Sequence, residues 1–278
     1  HDDVAGGIAM RVQIDHVTEY GYSNPVAGSV QYLRLTPRSG PAQTVHRWRI
    51  GCAEGRLTDW IDQYGNMCHT LVVNRPTHFI RLQVSGEVRT IDTAGIIPVG
   101  TTAMPQEVYL REGRYTVRVP SLVAFAERFR AEFERDRVDG LHALMNGLAD
   151  QMSYEKGETD ARTTAAEALE AKKGVCQDFA HVFIASCRHL GVPARYVSGY
   201  LAAEKEQVAS HAWAEALVPK LGWVSFDAAN RLCATEAYVR KAVGLDYGDA
   251  GPVRGVRMGG GEEVLMVSIA VAAQPPQQ

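Results

Sequence analysis

The chain contains no apolar run approaching the roughly 18 to 20 residues that a membrane-crossing helix needs, and its start has no basic segment leading into an apolar stretch. Neither a membrane span nor an export signal is expected. Charge of one sign is also lacking. The 29 Lys and Arg nearly balance the 32 Asp and Glu, leaving a formal net charge of −3, so no global field draws the protein to nucleic acid or to an anionic membrane. Cysteine is sparse: five in 278 residues, at positions 52, 68, 176, 187 and 233. That odd number, without any Cys-x-x-Cys spacing, argues for reduced thiols rather than a disulfide framework, and a cytoplasmic location is the expectation that follows. Internal repeats and low-complexity segments are missing too.

What is present divides into two patterns, as the length suggests. Met10 follows "HDDVAGGIA", so the first nine residues are expected to be a leader outside the fold. Residues 10–119 read as a β-rich, sandwich-like domain with strands in "RVQIDHVTEY", "VQYLRL", "TVHRWRI", "TLVV" and "LQVSGEVRTI". "SNP" at 23–25, "SGP" at 39–41 and "YGN" at 64–66 supply turn residues between them. At Pro120 the period changes. Leu122, Phe125, Ala126, Phe129 and Phe133 recur at helical spacing with Ser121 as the expected cap, and Leu141, Leu144, Met145 and Leu148 repeat the pattern. Thr164 and Glu167 have capping-box spacing, and Gly174 is expected to end that helix. A strongly apolar helix then follows Cys176 and stops at Gly191 and Pro193. "ARYVSGYL", "HAWAEALV" and "WVSFD" read as strands, the last two joined through "PKLG" as an antiparallel hairpin. "EVLMVSIAVA" is a continuous apolar strand, assigned here to a second domain at 120–272, and 273–278 reads as a disordered tail. The fold class is α+β.

The placement of Cys176 is the first chemical clue. A cysteine is a nucleophile as thiolate, and the N–H groups at a helix N-terminus favour that anion. It needs a base, and the base needs a group to fix its tautomer. The hairpin offers both, because folding about "PKLG" brings His211, at the start of one strand, near Asp227, at the end of the other. Singly, a cysteine before a buried helix is most often a small apolar residue, and Cys187 and Cys233 are read as packing or surface thiols. Cys52, Cys68 and His69 lack zinc spacing. Asp178 and His181 form a rival cluster with Cys176, but a histidine five residues along one helix lies more than a turn from the thiol. It is read as a core residue.

Together, "GVCQDFAH", "CRHLGVPARYVSGYL", "SHAWAE" and "GWVSFDAAN" resemble the successive motifs of the bacterial transglutaminase-like proteins, whose core belongs to the papain-like cysteine class. "YGYSNPV", "LRLTPR" and "DQYGN" resemble the β-rich region that precedes that core in bacterial members. The resemblance implies Cys176 as nucleophile, His211 as base and acid, and Asp227 as the residue orienting His211. It also implies an upstream aromatic donor to the oxyanion beside the Cys176 backbone N–H, for which Tyr154 is the candidate. Gln177, Trp213 and Asn230 flank the site and are expected to shape it. Animal transglutaminases carry tryptophan directly after the nucleophile, where this chain has Gln177, which weighs against protein cross-linking. No EF-hand or dense carboxylate loop points to calcium, and no cofactor or metal is expected.

The expected function is thiol-dependent acyl transfer on peptide or protein amides through a thioester, with hydrolysis preferred to transamidation. Two alternatives stand beside it: a catalytically silent binding scaffold of the same fold, and a metal-dependent hydrolase using Cys176, Asp178 and His181.

Overall fold

The alternation that opens the chain becomes one long strand, β1 (Ala9–Thr36), which turns Val12, Ile14, His16 and Thr18 inward. In a computed structural model, residues 9–100, 104–202 and 210–274 are described, so the expected leader, apart from Ala9, lies outside them. The turn expected at 23–25 is instead a break within β1. Its register against the neighbouring strand shifts between Gly21 and Val26, where Pro25 has no N–H to give to a ladder. Four strands follow: β2 (Gln43–Gly51), β3 (Arg56–Ile61), β4 (Met67–Val73) and β5 (Thr77–Ile91). All pairing is antiparallel, in the order β2-β5-β1-β4-β3. The sheet curls, so that Leu33, Leu35, Leu71, Ile80 and Leu82 share one core with Trp48, Ile50 and Leu57.

A two-residue strand, β6 (Ile96–Ile97), leads into the second unit. Helix α1 (Pro120–Glu127) begins on its proline, whose absent N–H costs nothing at the first helical position. Val119, not the expected Ser121, is its cap residue. The phenylalanine pattern continues into the short α2 (Arg130–Arg135). Asp136 caps α3 (Arg137–Gln151) by accepting from the N–H groups of Val138 and Asp139. Strand β7 (Ser153–Tyr154) is followed by α4 (Ala165–Ala171), which carries the expected Thr164–Glu167 capping box but ends on left-handed Lys172 rather than on Gly174. Gly174 has another task. It lies in β8 (Lys173–Gly174), where an added Cβ would stand 2.6 Å from Asp178 Oδ2.

Helix α5 (Cys176–His189) is buried from Asp178 through Arg188. It packs on a sheet of β9 (Ala194–Leu201), β10 (Ser210–Val218), β11 (Gly222–Phe226) and β12 (Tyr238–Gly244), ordered β12-β9-β10-β11-β6. Ala212, Ala214 and Ala216 of β10 are small enough for α5 to lie close against them, sharing a core with Val182, Phe183 and Phe226. After α6 (Tyr247–Ala250) the chain returns to the first sheet as β13 (Val253–Gly259) and β14 (Glu263–Gln274). Each half of β1 is thus paired on both edges, first with β5 and β14, then with β4 and β13.

The apolar C-terminal strand, assigned from sequence to the second domain, therefore belongs to the first sheet, while β6, from before residue 120, belongs to the second. Hydrogen bonding decides this: β1 offers a free edge, whereas the sequence run says only that the segment is extended. The tail expected from 273 is strand through Gln274 and otherwise lies outside the described residues. Val12, Ile14 and Val88 pack on Tyr200 and Val239 between the sheets. The side chain of Asn66 bonds both ways to the Val243 backbone, at 2.7 and 2.8 Å, and Gln43 does the same to Arg240, at 2.8 and 2.9 Å. β12 is thereby fixed against the first sheet. No helix among the described residues is long and apolar enough to cross a membrane.

Candidate active site

Cys176 is the first residue of α5. Asp178, three residues after the cap Val175, holds this end of the helix: its Oδ2 accepts from the Val175 N–H at 2.8 Å and from the Thr159 hydroxyl at 2.7 Å. The parallel pairing of Tyr154 with Gly174 brings a phenol alongside. The Tyr154 hydroxyl is raised above its ordinary range, first by burial and then by the charges of Cys176 and Asp227, with hydrogen bonding to both the backbone and the side chain of Cys176 also acting on it.

The β10–β11 register pairs Ala214 with Phe226, so His211 near the start of β10 meets Asp227 just past the end of β11. His211 Nε2 and Asp227 Oδ2 are 2.6 Å apart. That leaves Nδ1 free of the carboxylate. Burial opposes charge on the ring, but the bond to Asp227 and then the contact with the Cys176 side chain outweigh it and push the imidazole up to about 10. Asp227 is 1% exposed. Burial works against its ionisation, yet bonds from His211, Tyr238 and Asn230 hold it below the usual carboxylate range. At neutral pH the two form a buried ion pair, stabilised because the carboxylate is fully hydrogen-bonded.

Asn230 Nδ2 donates to Asp227 Oδ2 at 2.7 Å, and its backbone N–H donates to Oδ1 at 3.3 Å. The Tyr238 hydroxyl donates to the same Oδ2 at 2.7 Å. Trp213 is buried with its ring near-parallel to that of His211, the centroids 6.3 Å apart, and Tyr238 meets Trp213 edge-on at 5.2 Å. Gln177 is half-buried beside Cys176 and makes no side-chain hydrogen bond among the described residues.

The structure thus brings Cys176, His211, Asp227, Asn230 and Tyr154 together and sets Trp213 behind the imidazole. Tyr238 is the residue that sequence reasoning missed. The signal available was an aromatic residue heading the β-branched run "YVRKAV", eleven positions after Asp227.

The rival groupings fall apart. His181 is fully buried, accepts from the Tyr247 N–H at 3.1 Å and stacks on Tyr115 at 5.3 Å, and burial lowers its pKa to about 3. Asp178 is committed to the helix cap. Cys52 points to Glu54, Cys68 to Asp62, and His69 to Thr36. Burial raises the thiols of Cys52, Cys68, Cys187 and Cys233 above their ordinary value.

The model of the transglutaminase-like superfamily matches residues 123–228, and that of the bacterial transglutaminase-like N-terminal region matches residues 12–89. The chain is 29% identical over 277 residues to the uncharacterized protein ML0607 of Mycobacterium leprae, covering 94% of this chain and 98% of the relative. It is 30% identical over 289 residues to the uncharacterized protein Rv2569c of Mycobacterium tuberculosis, covering 94% and 92%. Among solved structures, a protein of Cytophaga hutchinsonii provisionally assigned as a cysteine protease shares the fold, with a TM-score of 0.75 at 22% identity over 97% of this chain and 92% of the other. Superfamily membership supports a general cysteine-dependent activity. The chain belongs to the bacterial transglutaminase-like proteins, with their β-rich N-terminal region ahead of the transglutaminase-like core.

Proposed function

We propose that this protein is a thiol-dependent acyl-transfer enzyme that cleaves peptide or protein amides by way of a Cys176 thioester. The observation that carries the reading is the His211 ring, bound through Nε2 at 2.6 Å to a buried carboxylate and raised in proton affinity by that carboxylate and by the Cys176 side chain at a helix N-terminus. Cys176 Sγ attacks the amide carbonyl carbon, and a C–S bond forms as charge collects on oxygen. The Cys176 backbone N–H and the Tyr154 hydroxyl stabilise that charge. The C–N bond then breaks, and the leaving nitrogen takes its proton from the His211 imidazolium. Water attacks the thioester, His211 accepts its proton, and the C–S bond breaks to release the acid and restore the thiolate beside the imidazolium. Cys176 is half-buried, not sealed, and Tyr154 beside it is 47% exposed, which supports access of water to the thioester and hence hydrolysis over transfer to an amine.

Incubation with a glutamine-donor peptide and a labelled amine tests the outcome. Cleavage or ammonia release without label incorporation is expected, and incorporation would mark a transamidase instead. Alkylation separates an enzyme from a silent scaffold of the same fold. Iodoacetamide at pH 7 should modify Cys176 at least about tenfold faster than Cys187 or Cys233, whose thiols burial keeps protonated. An equal or slower rate at Cys176 refutes the catalytic reading.

A further inference from the structure

The apolar run of β14 has the character of a strand covered on both faces, yet β14 is an edge. It pairs with β1, and among the described residues no strand takes its other side. A row of backbone N–H and C=O groups is left without partners. Leu265 and Val267 lie opposite Tyr20 and Thr18, while Val264 and Met266 lie opposite Gly21 and Glu19, so the two pairs project from opposite faces of the sheet. All four are 53–64% exposed. Val256 and Met258 of β13 extend the apolar strip. Edges of this length are ordinarily blunted by lysine, proline or a bulge, but residues 264–272 contain no charge, proline or glycine.

We propose that β14 is a self-pairing edge, through which two copies of this chain join antiparallel about a twofold axis at Val267 and merge their N-terminal sheets. The bare backbone groups call for an extended chain as partner, and side chains that are apolar on both faces call for a strand of the same kind. β14 meets both demands. With the axis at Val267, Leu265 faces Ile269, Met266 faces Ser268 and Val264 faces Ala270, so larger side chains meet smaller ones in two of the three pairs. Charge selects the direction. Parallel pairing would set Glu263 against Glu263, which is unfavourable. Antiparallel pairing separates these carboxylates by roughly 27 Å, well beyond the screening length at physiological salt.

Sedimentation velocity on the full chain from about 1 to 100 µM tests the proposal, since self-association grows with concentration. A dimer is expected for the wild type. Met266→Lys/Val267→Lys places one charge on each face of the edge and should raise the dimer Kd at least about a hundredfold, with an unchanged far-UV circular dichroism spectrum because both side chains are exposed. Val267→Cys should form a covalent dimer under mild oxidation, since residues paired on a twofold axis stand within disulfide reach; Val256→Cys and the wild type should not. A wild-type monomer at the highest concentration, a double-lysine variant that dimerises as the wild type does, or a Val267→Cys chain that fails to cross-link would each overturn the proposal.

Discussion

Replacing Asp227 by asparagine keeps a side chain of nearly the same volume against His211 and removes its charge. Of the influences on the ring, burial lowers its proton affinity, and Asp227 is the largest that raises it. Without the carboxylate only the Cys176 side chain opposes burial, and His211 should titrate well below about 10, towards its ordinary 6.5. The lost preference for the protonated ring is on the order of 5 kcal/mol. At pH 8 the variant would present a neutral ring beside Cys176, with no proton for a departing amine, and kcat should fall by roughly a thousandfold or more. The ring can be followed without a substrate through its Cε1–H resonance in histidine-labelled protein, assigned by comparison with His211→Gln. Stability carries the same signature. A raised His211 pKa contributes stabilisation that is complete below about 6.5 and lost as pH climbs towards 10, and the lowered Asp227 contributes stabilisation present above about 3.8 and lost on acidification. Wild type and variant should therefore differ most in unfolding free energy between those limits, near pH 5 to 6. A wild-type resonance titrating near 6.5, or a variant resonance still titrating near 10, would refute the reasoning.

Three further outcomes follow from individual side chains. Tyr154→Phe removes one proposed oxyanion donor and should lower kcat about a hundredfold with little change in KM, as measured by steady-state kinetics on a cleaved peptide. Tyr238→Phe deletes one of the hydrogen bonds that hold Asp227 ionised. The acid limb of kcat/KM should move to higher pH, and chemical denaturation should show a loss of about 1 kcal/mol. The Lys241 ammonium is buried 4.1 Å from the Tyr200 ring with no hydrogen-bond partner among the described residues, and burial lowers its pKa to about 7. Lys241→Met should stabilise the fold, most at or below pH 7 and progressively less towards pH 10.5, because the wild-type penalty exists only while the unfolded lysine is protonated. Melting temperatures across that range read the trend, and a destabilised variant at pH 6 would contradict it.

The proximity of His211 and Asp227, and the place of Cys176 at a helix start, were legible because each stands at a point where local signals agree. Cys176 follows Gly174 and Val175 at the head of a largely apolar helix, and the four residues of "PKLG" fix which strand ends meet. The bond between Asp227 and Tyr238 was not legible. Arg240 and Lys241 interrupt the apolar pattern of β12, and its backbone is held by Gln43 and Asn66 of the N-terminal unit, far away in sequence. β14 failed differently. Its composition declares a strand, but nothing in a run of Val, Leu and Ile specifies which edge will accept it. The break in β1 was misjudged because Ser, Asn and Pro signal a turn, while the long partners on both sides keep the backbone extended through them.

The way β13 and β14 close the first sheet bears on biosynthesis. β1 finds its partners β13 and β14 only when residues 253–274 have been made, so its sheet must wait for them while the intervening helices and their sheet can assemble first. A nascent or clipped chain ending before residue 253 would leave β1 bare on one side along Arg11–Tyr22 and Val26–Leu33. Such a chain offers proteases and aggregation a target that the finished molecule hides.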